Sequence, residues 1–118
     1  IKKKEIYIRN PKYNRPWQHV LEPLYGYLIL AEKLYKKPKY YSGAWNFGTK
    51  KNTITSVLEI VNKIVKYWGK GKVRFKKNLK YYEQENLQLN INKSKKFLKW
   101  KPKVSFKELV IEMVESDI

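Results

Sequence analysis

The chain has 118 residues, enough for one domain, and no cysteine, which excludes a disulfide framework and thiolate metal sites. Its single histidine cannot form a multi-histidine cluster, so we expect no metal site. Lys and Arg outnumber Asp and Glu by 27 to 10, and the net charge of +17 favours an anionic partner.

The basic residues are spread along the whole chain, and arginine occurs only at Arg9, Arg15 and Arg74. This distribution favours an anionic small ligand over nucleic acid, whose binding proteins gather their cations on one face. No apolar run approaches the ~20 residues that cross a bilayer, and residues 1–5 have no apolar signal core. We therefore expect a soluble, cytoplasmic protein without a membrane partner, cut from something longer.

Alternating apolar residues predict a strand over residues 5–9, ending at Asn10 and Pro11. A helix with a buried apolar face is predicted from Leu21 to Tyr35, and residues 36–39 end it. Gly26 costs this helix about 1 kcal/mol relative to Ala, a cost best tolerated where another element approaches closely. The apolar stripe consists of Leu21, Leu24, Tyr25, Leu28, Ile29, Ala31, Leu34 and Tyr35.

The stretch between these elements concentrates polar groups. Pro16 keeps Arg15 out of the helical region, and the helix begins before Pro23, so Arg15, Gln18 and His19 lie on a strand-to-helix turn. In α/β folds such turns carry ligands. The residues fit equally well a structural turn, in which Trp17 plugs the core and Arg15 is solvated.

Residues 44–48 are short, aromatic and stopped by Gly48, which predicts a buried strand. Asn46 would lie at its carboxyl end, where open α/β sheets bind ligands; alternatively it caps or braces the turn. A second helix is predicted from Ser56 to Trp68, with a capping box formed by Ser56 and Glu59. Its stripe is core packing, and Gly69 suits the position after the helix.

Short strands are predicted over residues 72–75 and 86–90, with a polar loop between them. Asn92 is expected to cap a helix over residues 93–98 that residues 100–102 stop. Ser105 and Glu108 form a capping box for a last helix. Its inward residues are expected to be Phe106, Leu109, Met113 and Val114.

These residues contain no assembled catalytic set. One imidazole, dispersed carboxylates, and the absence of a glycine-rich phosphate motif favour binding over catalysis. The planar guanidinium of Arg15 suits phosphate, whereas Asn46 and Glu83 could bond to a sugar or nucleoside.

The order of motifs resembles that of CDP-glucose 4,6-dehydratases, which are extended short-chain dehydrogenase/reductases. The resemblance begins with IRNP at residues 8–11 and RPWQHVLEPLYGYL at 15–28, the longest and most specific motif. Further motifs are WNFG at 45–48, YWG at 67–69, LQLNINKSK at 87–95 and LKWKP at 98–102. The LKWKP type is shared by many nucleotide-sugar epimerases and dehydratases.

The resemblance implies an α/β fold: the C-terminal substrate-binding portion of an incomplete Rossmann-type fold, with mixed helices and short strands. Residues 1–118 would form a single fragment that lacks the N-terminal NAD-binding domain and its Tyr-x-x-x-Lys pair. The complete enzyme would be an NAD-dependent lyase and a homo-oligomer. It would oxidise the sugar at C4, eliminate water across C5–C6 and return the hydride to C6, whereas this fragment alone would be inactive.

By resemblance, Arg15 holds the nucleotide diphosphate, Asn46 lies near the same nucleotide, and Glu83 meets the ribose. Gln18 and His19 are characteristic of the signature, as substrate contacts or as braces of the turn. Arg15 and Asn46 are thus expected to converge on the pyrophosphate of an activated sugar such as CDP-glucose.

The chain departs from the family pattern at three places. Residues 80–82 replace a His-Pro-His motif, Asn90 replaces an Asp, and Lys99 replaces a Gly suited to a left-handed helix terminus, at a steric cost. A decayed copy that binds nothing and a small basic nucleic-acid-binding module are the alternatives.

Overall fold

The computed structural model describes residues 5–50, 54–76 and 84–117. These residues form four short strands and five helices. In chain order the elements are β1 (Glu5–Ile8), β2 (Asn14–Pro16), α1 (Leu21–Lys36), α2 (Pro38–Tyr41), β3 (Ile54–Ser56), α3 (Val57–Trp68), β4 (Lys72–Phe75), α4 (Asn92–Leu98) and α5 (Phe106–Glu115).

The described strands form two separate pairs. β1 and β4 are parallel, with Glu5 opposite Lys72, whereas β2 and β3 are antiparallel, with Arg15 opposite Thr55. The expected mixture of helices and short strands is therefore confirmed. No described helix is long and apolar enough to span a bilayer.

The main core joins α1 and α4 to the irregular segment 44–50. Phe47, Ile91, Leu98 and Trp100 are buried together, and Ile29 and Leu30 of α1 pack against them. The rings of Phe47 and Trp100 meet edge to face, with centroids 5.0 Å apart, a favourable aromatic geometry.

Gly26 makes this core possible. A Cβ on Gly26 would overlap the ring of Phe47, so the glycine lets α1 approach the aromatic core directly. The expected close approach at this position is confirmed. A second packing layer joins α3 and α5, where Ile60, Leu109, Val110 and Val114 are buried.

The strands predicted over residues 44–48 and 86–90 are wrong. Segment 44–48 is irregular, and only a single bridge from Asn86 to Asn14 forms in the second region. Side chains take the place of a ladder: Ser94 Oγ donates to the Asn46 carbonyl at 2.6 Å, and Asn46 Nδ2 donates to the Asn90 carbonyl at 3.2 Å. Backbone groups satisfied in this way need no neighbouring strand.

The predicted burial of the α1 stripe is also largely wrong. Leu21, Leu24, Tyr25, Leu28 and Tyr35 are exposed, because the face of α1 that meets the core is the one through Gly26 and its neighbours Ile29 and Leu30. Met113 of α5 is likewise exposed rather than inward, because the buried face of α5 runs through Leu109, Val110 and Val114.

The capping box predicted for α5 is confirmed, and so is Gly69 after α3, but of the box predicted at α3 only the Ser56 half forms. Ser56 and Ser105 accept the N–H groups of Glu59 and Glu108, and Gly69 adopts a left-handed conformation after α3. At α3, the Glu59 carboxylate accepts from the Thr55 hydroxyl.

The predicted cap of α4 is wrong. Asn92 is already helical, and its N–H donates to Asn90 Oδ1 at 2.9 Å, so the side chain two residues earlier satisfies the first turn. At the other end of α4, Lys99 has a φ of 55°, as expected for a residue at a position that suits glycine.

Replacing Lys99 with glycine should stabilise the chain by about 0.5–1 kcal/mol, because a residue with a Cβ is strained in the left-handed region. The matched opposite change, Gly69→Ala, should destabilise it by about 1 kcal/mol, since no atom lies within 4 Å of the added Cβ and only backbone strain changes. Urea unfolding measures both differences. A Lys99→Gly variant that is less stable than the parent would contradict the claim that the backbone at Lys99 is strained.

Candidate functional site

Arg15 lies in β2 and reaches across to the segment after residue 83. Its Nη1 donates to the carbonyl oxygens of Asn14 at 2.9 Å and Gln84 at 2.7 Å. The guanidinium also lies over the ring of Tyr13, 5.5 Å from its centroid. Arg15 therefore holds two remote parts of the chain together.

Asn46 performs the same task at the other end of that segment. Its amide donates to the carbonyl of Asn90, and its own carbonyl accepts from the buried hydroxyl of Ser94. Arg15 and Asn46 thus bind opposite ends of segment 84–90. Glu83 lies outside the described residues, directly before the carbonyl that Arg15 holds. Convergence of Arg15 and Asn46 on one pyrophosphate, and contact of Glu83 with the ribose, stay predictions.

Gln18 and His19 occupy the expected turn between β2 and α1. Gln18 Nε2 donates to the carbonyl of Gly48 at 3.2 Å. His19 Nδ1 accepts the N–H of Leu21 at 3.2 Å, and its Nε2 lies 2.8 Å from a carboxylate oxygen of Glu112 in α5. This pair of contacts assigns the proton to Nε2, which donates to Glu112. Both side chains brace the turn.

A cleft of about 600 Å³ opens beside this turn, between the turn and the C-terminal half of α5. Gln18 and His19 share it, whereas neither Arg15 nor Asn46 is among its described lining residues. Its walls are formed in part by Trp17, Gln18 and His19 on one side and Leu109, Glu112 and Met113 on the other.

Glu22 is the residue that sequence reasoning missed. One of its carboxylate oxygens accepts the N–H groups of Lys103 and Val104, the latter at 2.8 Å, and its backbone carbonyl accepts Trp100 Nε1 at 3.1 Å. Glu22 therefore fastens the start of α1 to segment 100–104. The helix dipole already accounts for an acidic residue in a first helical turn, so the sequence gives no reason to expect this tertiary contact.

Glu108 is held as a carboxylate at the start of α5. Hydrogen bonds from Ser105, through its side chain and its backbone N–H, lower the pKa of Glu108 below its ordinary value. The carboxylate lies 2.7 Å from the Ser105 nitrogen. The pKa values of Glu5 and Glu32 are lowered too, by hydrogen bonds from Tyr7 and Lys36 respectively.

No protein-family model matches the sequence. Individual relatives do match. The chain is 36% identical over 112 residues to CDP-glucose 4,6-dehydratase of Salmonella typhimurium, and the match covers 94% of this chain and 31% of the relative. The chain is a homologue of nucleotide-sugar 4,6-dehydratases.

Two further dehydratases agree with this assignment. GDP-mannose 4,6 dehydratase of Dictyostelium discoideum is 31% identical over 134 residues, covering 96% of this chain and 35% of the relative. The Homo sapiens GDP-mannose 4,6 dehydratase is 49% identical over 51 residues, covering 41% of this chain and 14% of the relative. This dehydratase homologue thus spans about a third of the length of the first two relatives.

Removing the Glu22 carboxylate should destabilise the dehydratase homologue by about 1.5–3 kcal/mol, the scale of a hydrogen bond to a charged group. Glu22→Gln keeps one acceptor oxygen and should lose less. Glu32→Ala is the matched control on the same helix, because Glu32 pairs with Lys36 on the exposed surface and its loss should change stability little. Equal urea midpoints for Glu22→Ala and Glu32→Ala would contradict the proposed fastening.

Stability should also fall in acid through Glu108. Since its folded pKa is lowered, its stabilisation is complete above the unfolded pKa and is lost as the pH falls through the folded value. The difference in melting temperature between the parent and Glu108→Gln should therefore shrink from pH 6 to below about pH 4. Ser105→Ala should show part of the same effect. A difference in melting temperature that is constant over this pH range would contradict the stabilising role of the Glu108 carboxylate.

Proposed function

We propose that the chain is the C-terminal, nucleotide-sugar-binding part of a CDP-glucose 4,6-dehydratase, an enzyme that converts CDP-glucose to CDP-4-dehydro-6-deoxyglucose and water. The observation that carries this proposal is the 36% identity to the Salmonella enzyme over 94% of the chain. A GDP-mannose specificity has less support, because identity over a comparable length is 31%.

In this proposal the parent enzyme is a cytoplasmic homo-oligomer with the extended short-chain dehydrogenase/reductase fold, and NAD binds to the part that precedes this chain. The described residues do not fit NAD. Dinucleotide sites place the pyrophosphate on a glycine-rich strand-to-helix turn. The turn 17–20 contains no glycine, and β3 runs directly into α3 at Ser56–Val57.

What the chain contributes is the positioning of substrate. Arg15 and Asn46 hold the two ends of segment 84–90 through the carbonyls of Gln84 and Asn90. In the proposal, Arg15 supports the nucleotide diphosphate, Asn46 the adjoining nucleotide and Glu83 the ribose. Gln18 and His19 hold the turn that follows the Arg15 strand in place through Gly48 and Glu112.

Calorimetric titration of the purified chain tests this binding. CDP-glucose should bind, GDP-mannose should bind more weakly, and a single-stranded oligonucleotide should show no salt-dependent binding. Arg15→Ala should weaken CDP-glucose binding by about 1.5–3 kcal/mol, the scale of a charged hydrogen bond. Arg74→Ala is the control, because Arg74 pairs with Glu5 across β1 and β4 and should leave the affinity unchanged.

Three results would contradict the proposal. They are no heat with either nucleotide sugar, equal losses for Arg15→Ala and Arg74→Ala, and oligonucleotide binding that falls steeply with salt. The last would favour a basic nucleic-acid-binding module.

The chain alone should not catalyse dehydration. Incubation with CDP-glucose and NAD should give no 4-keto sugar by its ultraviolet absorbance in alkali, while a complete dehydratase run in parallel gives product. Turnover by the chain alone would contradict the assignment of the redox groups to the rest of the parent enzyme.

A further inference from the structure

Four aromatic side chains meet at the surface where α2 contacts α4. They come from α2, from the irregular segment after it and from α4, and they are Tyr40, Tyr41, Trp45 and Phe97. Neighbouring ring centroids lie 4.9 to 6.5 Å apart, so the rings form one cluster. Tyr41 and Trp45 pack against the core, whereas Tyr40 is 63% exposed and Phe97 is 39% exposed. The cluster therefore extends from the core to the solvent.

Lysine side chains lie over the faces of two of these rings. The ammonium of Lys93 lies 4.2 Å from the centroid of the Trp45 ring, and that of Lys96 lies 5.3 Å from the centroid of Phe97. Lys93 also donates to the carbonyl of Ala44 at 2.8 Å, which fixes its position. We call this surface the aromatic–lysine patch, which consists of Tyr40, Tyr41, Trp45, Lys93, Lys96 and Phe97. Further exposed lysines adjoin it in sequence: Lys37, Lys39 and Lys95.

The aromatic–lysine patch contains no negative charge. Neither residues 33–58 nor residues 86–107 include an acidic residue, and the whole patch comes from these two ranges. The acid that precedes the first range, Glu32, pairs with Lys36 within α1. None of the ion pairs among the described residues includes Lys93 or Lys96. The patch thus presents positive charge beside exposed aromatic carbon.

This combination suits the surface of an anionic bilayer. Tyrosine and tryptophan are enriched at the headgroup level of membranes, because one end of each side chain is apolar and the other is polar. Lysine packs its aliphatic stem along apolar surface while its ammonium reaches anionic headgroups. A flat partner with an anionic outer layer and an apolar interior therefore complements both components of the patch.

Other anionic partners fit less well. Single-stranded nucleic acid stacks its bases on free ring faces, whereas ammonium groups lie over the faces of Trp45 and Phe97. A peptide usually binds along a sheet edge or in a groove. The patch is formed by helices and an irregular segment, and the clefts of about 370, 600 and 630 Å³ in the described part of the chain are lined by other residues.

We infer that the aromatic–lysine patch binds the surface of a bilayer that contains anionic lipid, with Tyr40 and Phe97 at the headgroup level and the lysines against the anionic headgroups. The expectation of no membrane partner depended on the lack of a spanning segment, and peripheral contact needs none. The inference does not rest on the proposed dehydratase function, because no residue assigned to the nucleotide sugar belongs to the patch. Failure of CDP-glucose to bind leaves it standing.

Co-sedimentation of the full 118-residue chain with lipid vesicles tests the inference. At about 0.15 M salt, where charges beyond about 8 Å are screened, the chain should bind vesicles of phosphatidylcholine with phosphatidylserine at least about tenfold more tightly than vesicles of phosphatidylcholine alone. The double variant Lys39→Gln/Lys96→Gln should weaken binding to the anionic vesicles about tenfold or more, since each lysine close to such a bilayer contributes about fivefold. Lys66→Gln/Lys107→Gln removes the same charge from exposed positions of α3 and α5 and should weaken it less than about threefold.

Fluorescence quenching by brominated lipid identifies the face that meets the bilayer. Of the four tryptophans in the chain, Trp45 is the one that belongs to the patch. Saturating anionic vesicles with brominated acyl chains should quench the parent, and Trp45→Phe should lose most of that quenching. Trp68→Phe is the matched control at the end of α3 and should keep it.

Circular dichroism reports whether each variant is folded. Should either patch variant unfold, Lys39→Gln alone decides, because Lys39 is exposed, and it should weaken binding about fivefold. Equal binding to both kinds of vesicle, equal losses for the two double variants, or quenching that depends on Trp68 instead of Trp45 would each overturn the inference. Tighter binding of a polyglutamate peptide or a single-stranded oligonucleotide, weakened by the same patch variant, would assign the patch to an acidic polymer and overturn it as well.

Discussion

Side-chain donors bonded to backbone carbonyls hold the irregular half of this molecule in place. A carbonyl removed from water needs a donor, and outside helices that donor usually comes from a strand ladder. Here Gln18 supplies it to Gly48, Asn46 to Asn90, and Ser94 to Asn46. Because each bond joins segments far apart in the chain, these side chains position the turn before α1 as well as the core.

This arrangement explains which parts of the fold could be predicted. α3 and α5 follow from local signals, since Ser56, Ser105 and Gly69 mark their ends within a few residues. The strands expected at 44–48 and 86–90 failed for a non-local reason. An alternating or apolar run shows that a segment is buried or half-buried, but whether a ladder forms depends on partners that the run itself does not encode. Likewise, the stripe on α1 identifies apolar residues without identifying which face the core covers.

The same distinction applies to the candidate residues. The sequence placed Gln18 and His19 on the turn before α1, and the structure agrees. It left open whether they contact substrate or brace that turn, because the bracing partners Gly48 and Glu112 are remote in sequence. Arg15 and Asn46 were selected for their chemistry, and their shared attachment to segment 84–90 depends on tertiary contacts. Glu22 was overlooked because its partners, Lys103 and Val104, lie at the other end of the chain.

The parallel pairing of β1 with β4 has a consequence for how the chain acquires its structure. Glu5 lies opposite Lys72, so this ladder closes a loop that contains β2, α1, α2, β3 and α3. Closing so long a loop costs entropy before any contact compensates it, which slows folding of parallel pairs. During synthesis on a ribosome, β1 emerges before β4 and must wait for it. In that interval its unpaired edge is open to association with other chains.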